Sequence, residues 1–152
     1  MDIKKVPGQG KTTIYISGII DEATNFNTVG PVSGVVEFNG KGVSKINSNG
    51  VKSWINYFTS LVGSAQFRFS ELSPVLVEQL NSLSNFCAGQ SVQSLMVPFA
   101  CTKCHKETLK TMSITELKAQ PEPEAIACPH CEGKAEFDDL PEEYFCCLEN
   151  LE

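Results

Sequence analysis

The spacing of apolar positions changes several times along the chain, and each change marks a new element. Residues 12–20 (Thr-Thr-Ile-Tyr-Ile-Ser-Gly-Ile-Ile) alternate and are rich in β-branched side chains, which predicts a strand. Residues 1–11 lack such a pattern and read as a loose lead-in; residues 21–31 read as a polar loop with a short helical turn. A second, short strand is predicted over 34–38, followed by a turn at Asn39-Gly40-Lys41-Gly42. From Val51 the period becomes helical. Val51, Trp54, Ile55, Phe58, Leu61 and Val62 form one wide apolar stripe, and Asn47, Ser48 and Asn49 offer N-caps for it. A third strand is expected at 66–69. Ser73-Pro74 opens a second helix with a capping residue and a proline at the first helical position. Leu76, Leu80, Leu83 and Cys87 are expected to mark its buried face, and Gly89 its end. A further strand, 91–99, runs into Cys101. Short strands alternating with helices predict an α/β sheet with right-handed crossovers.

Composition sharpens this picture in two ways. A chain of 152 residues with 41% hydrophobic content can bury one real core plus a small appendage. No apolar run approaches the roughly 20 residues of a membrane span. The start, Met-Asp-Ile-Lys-Lys-Val, has no apolar signal stretch, so a cytoplasmic protein with reduced thiols is expected. The net charge of −6 arises entirely after Pro98, from residues such as Glu122, Glu124, Asp138, Asp139, Glu142 and Glu143. An acidic tail repels a phosphate backbone, which argues against a nucleic-acid partner.

The chemistry is concentrated in that tail. Cys101-Thr-Lys-Cys104 and Cys128-Pro-His-Cys131 are two CxxC pairs, each able to aim two thiolates at one ion from one tight turn. Four sulfurs in a tetrahedron suit Zn²⁺ and leave no open position for water, so the ion would be structural. The intervening stretch, 105–127, is slightly longer than the usual zinc-ribbon spacing, and its Gln120-Pro-Glu-Pro-Glu124 segment reads as stiff and exposed. The competing reading is a pair of redox dithiols. A thioredoxin-like CxxC opens a helix after a strand, whereas polar Lys-Glu-Thr follows the first pair here.

Other signals carry less. Gly8-Gln-Gly-Lys-Thr-Thr13 lacks the first glycine of a P-loop, and a β-type run follows it. His105 and His130 lie at the metal turns, but the cysteines already fill the shell. Cys146-Cys147 beside Tyr144-Phe145 suggests a small buried patch or a last strand. Cys87 and Trp54 read as core.

Three local matches, in order, resemble the STAS domain, the fold of bacterial anti-sigma-factor antagonists. They are Ile16-Ser-Gly-Ile-Ile-Asp21-Glu, then Val35-Val-Glu-Phe with Val43 through Val51, then Phe67-Arg-Phe-Ser-Glu-Leu-Ser-Pro74 through Phe86. Together they span residues 12–99, a little under three fifths of the chain. The resemblance implies a mixed α/β sheet with helices packed on it over 12–99; the cysteine-bearing tail, 100–150, lies outside the family's pattern and reads as a zinc-ribbon-like module. It implies a non-enzymatic protein-binding role, with an anti-sigma factor or kinase-like regulator as partner and Asn47, Ser48, Asn49, Gly50 and Val51 as the contact surface. The family's phosphorylated serine aligns with Asn49, and the aspartate two residues before it aligns with Asn47. Asparagine accepts no phosphoryl group, so the resemblance points to a constitutive binding module. A nucleic-acid-associated zinc ribbon and a thiol–disulfide oxidoreductase are the alternative functions.

Overall fold

The computed structural model describes residues 1–151. The first sheet holds β1 (Asp2–Pro7), β2 (Thr12–Ile20), β3 (Val35–Ile46) and β4 (Gln66–Ser70), in that spatial order. β1 is antiparallel to β2, whereas β2, β3 and β4 run parallel. Helix α1 (Ser48–Leu61) connects β3 to β4, and α2 (Pro74–Ser82) follows β4. The second sheet is antiparallel, with β5 (Ser94–Cys101) and β8 (Lys134–Phe137) between the edge strands β6 (Glu107–Ser113) and β7 (Ile126–Ala127). Short helices α3 (Ile114–Ala119) and α4 (Pro141–Tyr144) and a 3₁₀ turn at Cys146–Asn150 complete it. The α/β class thus holds, with two sheets where one was expected. No helix among the described residues is long and apolar enough to cross a membrane.

The helical stripe read from the sequence is what fills the core. Trp54 and Phe58 of α1 are fully buried against Phe38 and Phe69 of the sheet. Trp54 lies parallel to Phe86, with ring centroids 5.0 Å apart, and its indole N–H donates to the Phe86 carbonyl at 2.9 Å. A buried indole N–H needs such a partner. Phe26, from a 3₁₀ turn between β2 and β3, stacks on Tyr57 at 4.9 Å and closes the cluster.

Three expectations are corrected. Residues 1–11 are not a loose lead-in: β1 pairs with β2 over six residues. An edge strand mostly exposed to solvent needs backbone pairing and little apolar patterning. Residues 39–42 are not a turn, since β3 runs through them. Their glycines serve close approach: a Cβ on Gly40 would lie 2.6 Å from Leu76 Cδ1, and one on Gly42 2.6 Å from Ser17 Cβ. Finally, Cys146-Cys147 lies in a 3₁₀ turn and not a strand, although Tyr144, Phe145 and Cys147 do form the expected buried patch.

The two sheets meet along the segment after β4. Phe69 forms a parallel bridge with Val92, and Leu72 with Leu95. The Met96 N–H donates to the Leu72 carbonyl at 2.9 Å, and the Gln93 N–H to the Phe69 carbonyl at 2.7 Å. Glu71, in the left-handed region at φ 46°, pins this seam from several sides. Its N–H donates to Ser94 Oγ at 2.8 Å, and its carboxylate accepts from Asn39 at 2.6 Å and Thr111 at 2.7 Å. The expected boundary at 99/100 falls inside β5, a strand bound to both halves.

Two outcomes follow for stability. Trp54→Ala should cost about 3–5 kcal/mol, read as a lowered denaturant midpoint. The Asn39 bond, opposed by partial burial and aided by Thr111 and Lys41, holds the Glu71 carboxyl below its ordinary value. A depressed carboxylate pKa stabilises the fold at neutral pH, and that share disappears as pH falls through it. Glu71→Gln should therefore flatten the acid limb of a stability–pH profile, by an amount that solvent screening keeps small.

Candidate metal centre

Each CxxC pair forms a knuckle at the end of a strand, and the two knuckles repeat the same backbone bonds. In the first, the Cys101 N–H donates to the Lys106 carbonyl at 3.0 Å and the His105 N–H to the Cys101 carbonyl at 3.1 Å. In the second, the Cys128 N–H donates to the Gly133 carbonyl at 2.8 Å and the Glu132 N–H to the Cys128 carbonyl at 3.2 Å. His105 and Glu132, each directly after the second cysteine, both take positive φ, 61° and 63°. Non-glycine residues adopt this region at a cost of about 1 kcal/mol or more, so the surrounding bonds must impose it.

β5 carries Cys101, the turn after it carries Cys104, and the link from β7 to β8 carries Cys128 and Cys131. Pairing of Cys101 with Ala135 and of Ile126 with Ala135 brings the knuckles together. All four sulfurs lie within 4.8 Å of one another. Cys101 and Cys131 are 3.4 Å apart, and Cys104 and Cys128 3.7 Å, too far for a disulfide. A tetrahedral ion with metal–sulfur bonds of about 2.3 Å has sulfur–sulfur edges of about 3.8 Å. The quartet thus fits a four-coordinate thiolate site without rearrangement of the chain.

The surroundings suit thiolates. The N–H groups of Lys103 and Cys104 point at Cys101 Sγ, both at 3.3 Å, and the His130 N–H points at Cys128 Sγ at 3.4 Å. The Cys104 N–H, working with that of Lys103 against burial, holds the Cys101 thiol well below its ordinary range. Cys104 moves the other way: a favourable bond from the Lys106 N–H is outweighed by burial and by the sulfurs of Cys131, Cys101 and Cys128. Such splitting is what crowded like charges produce. Full ionisation of all four needs a cation among them.

Gly133 was not singled out by the sequence. A Cβ there would lie 2.9 Å from Lys103 Cβ and 3.2 Å from the sulfurs of both Cys101 and Cys131. Its signal was the glycine two residues after the second CxxC, indistinguishable from an ordinary turn glycine. His105 and His130 are exposed, and they are not in the quartet that lies within ligand distance.

The second group of candidate residues lies at the start of α1. Asn47 is the N-cap: its Oδ1 accepts from the Gly50 N–H at 2.8 Å, and its Nδ2 donates to Glu22 at 2.8 Å. Ser48 and Asn49 are exposed and Val51 is half-buried. A Cβ on Gly50 would fall 2.2 Å from the Ile20 carbonyl oxygen, so α1 is pressed against the end of β2. Beside it lies an open concavity of about 440 Å³ lined by Ile19, Asp21, Lys45, Asn47, Val75 and Glu78. The structure does not bring this group near the cysteines; they belong to different sheets.

Comparison with protein-family models, curated proteins and solved structures gives no match.

The geometry makes the quartet's metal binding measurable. The purified protein should carry one tightly held divalent ion, and Cys→Ser at any of the four positions should lower its occupancy. Gly133→Ala should weaken binding by about tenfold in a chelator competition, since it crowds two ligand sulfurs. Acidification should release the ion, because ligand thiolates take up protons as it leaves.

Proposed function

We propose that this chain is a non-enzymatic bacterial regulatory protein, a STAS-like module that binds a protein partner in the cytoplasm and is braced by structural zinc. The observation that carries the reading is the surface at the start of α1. Backbone there is fixed by the Asn47 cap and by the close approach of Gly50 to β2, while Ser48 and Asn49 face solvent. Exposed Ile19 lies next to Asn47 on the wall of the concavity, 48% accessible. A rigid polar rim beside an apolar side chain is a fitting contact surface for a protein.

Zinc belongs to the bracing, not to the recognition. Four thiolates complete its shell, so no position remains for substrate or water. Its role is to hold the knuckles at the end of β5 and β8, where few apolar side chains are available. The partner implied is an anti-sigma factor or a kinase-like regulator. With Asn49 at the position of the family's phosphorylated serine, binding would not be switched by phosphorylation there.

The test is an affinity capture from bacterial lysate with immobilised wild type and two surface variants, Ile19→Glu and Asn49→Arg. An anti-sigma or kinase-like protein, identified by mass spectrometry, should be retained by the wild type and reduced at least about tenfold by each variant. Salt-sensitive retention of DNA or RNA instead, or a captured protein indifferent to both substitutions, would overturn the reading. Chelation should release backbone protection around the knuckles in hydrogen exchange while β2, β3 and β4 stay protected. Simultaneous loss of both would show that the ion holds the whole fold.

A further inference from the structure

The four cysteines are not equivalent. Cys101 and Cys128, the first of each pair, are buried; Cys104 and Cys131, the second of each pair, are half-exposed. Within each knuckle the first sulfur takes more N–H bonds than the second: Lys103 and Cys104 donate to Cys101 and only Lys106 to Cys104, while His130 donates to Cys128. Such bonds draw charge from a thiolate and blunt its attack on an electrophile. Cys104 and Cys131 are thus the sulfurs that an oxidant reaches first, and each is less blunted than the other sulfur of its own knuckle. Behind each lies a buried sulfur of the opposite knuckle. Cys131 is 3.4 Å from Cys101, and Cys104 is 3.7 Å from Cys128.

We propose that the centre is a peroxide-responsive site, in which Cys104 and Cys131 are oxidised first and are resolved across the knuckles by Cys128 and Cys101. This rests on the metal-bound reading of the quartet. The Cys131 thiolate attacks one oxygen of hydrogen peroxide; the O–O bond breaks, leaving a sulfenic acid and hydroxide. The Cys101 thiolate then attacks the sulfenic sulfur, forming the Cys101–Cys131 disulfide and expelling a second hydroxide. Cys104 and Cys128 repeat both steps with a second peroxide. Each peroxide accepts two electrons from a sulfur pair and, with two protons, ends as two waters. The metal leaves as a divalent cation, its oxidation state unchanged.

The connectivity has a structural consequence. Disulfides within a CxxC pair would let the two knuckles drift apart once the ion is gone. Crossed disulfides join residues 30 and 24 positions apart in sequence. They span the same gap as the ion, and long closed loops are the ones whose cross-linking stabilises most. Oxidation would therefore replace one brace with another and keep β5 beside β8.

The experiment uses the whole chain as purified, with its metal content measured first. Hydrogen peroxide is added beside a chromogenic chelator, and the oxidised protein is mapped by tandem mass spectrometry of unreduced peptides. Metal release in step with loss of the four ligand thiols, and the pairs Cys101–Cys131 and Cys104–Cys128, are expected. Reductant plus zinc should reverse both. In Cys104→Ser, Cys101–Cys131 should still form and Cys128 should stay unpaired. Disulfides within either CxxC pair, a Cys101–Cys128 link, or metal release without any disulfide would overturn the proposal. A preparation without bound metal that nevertheless forms the crossed pairs would refute the metal reading while leaving the pairing in place.

Discussion

The C-terminal half is organised by a repulsion that must be cancelled. Two thiolates about 4 Å apart repel by about 4 kcal/mol at an effective dielectric of about 20. Four sulfurs within 4.8 Å make every pair of them close. Protons can relieve this, as the raised Cys104 shows, but protonated thiols bind one another weakly. A divalent cation bound among them would turn the same crowding into attraction and make the ordering of both knuckles favourable. The positive-φ backbone at His105 and Glu132 is held by the backbone bonds of the same knuckles.

The N-terminal half obeys a different rule. Its stability comes from aromatic rings gathered between α1 and the parallel strands, with Trp54 at the centre. A Cβ at Gly50 would strike the Ile20 backbone, and one at Gly40 or Gly42 would crowd the side chains of Leu76 or Ser17. Between the halves, Leu72 and Glu71 join a hydrophobic bridge to a small polar cluster. The C-terminal segment adds a second tie: Tyr144 Oη donates to the Met96 carbonyl at 2.6 Å, and Asn81 of α2 bonds the backbone at both Tyr144 and Cys147.

Local features of this architecture were legible in the sequence, and nonlocal ones were not. The Val51-to-Leu61 stripe, the Ser73-Pro74 helix start and the CxxC spacing are all set within a few residues, so pattern alone reveals them. The gathering of the cysteines followed because each pair is itself a local unit. The strand at β1 was missed because its Lys4, Lys5 and Pro7 satisfy the needs of an edge, not of a core. Gly40 and Gly42 misled because glycine marks turns and tight packing alike. The sheet to which β5 belongs depends on partners more than 30 residues away, Ala135 to Phe137, and no periodicity in β5 itself distinguishes them.

The shared strand bears on how such a chain can be divided or assembled. β5 offers Leu95 and Met96 to the parallel half through Leu72, and Phe99 to Cys101 to the antiparallel half through β8. A recombination event that separated the cysteine-bearing half would either strip the aromatic body of its outer edge or leave the knuckles without the rail that aligns them. Any viable shuffling must carry the rail with both halves.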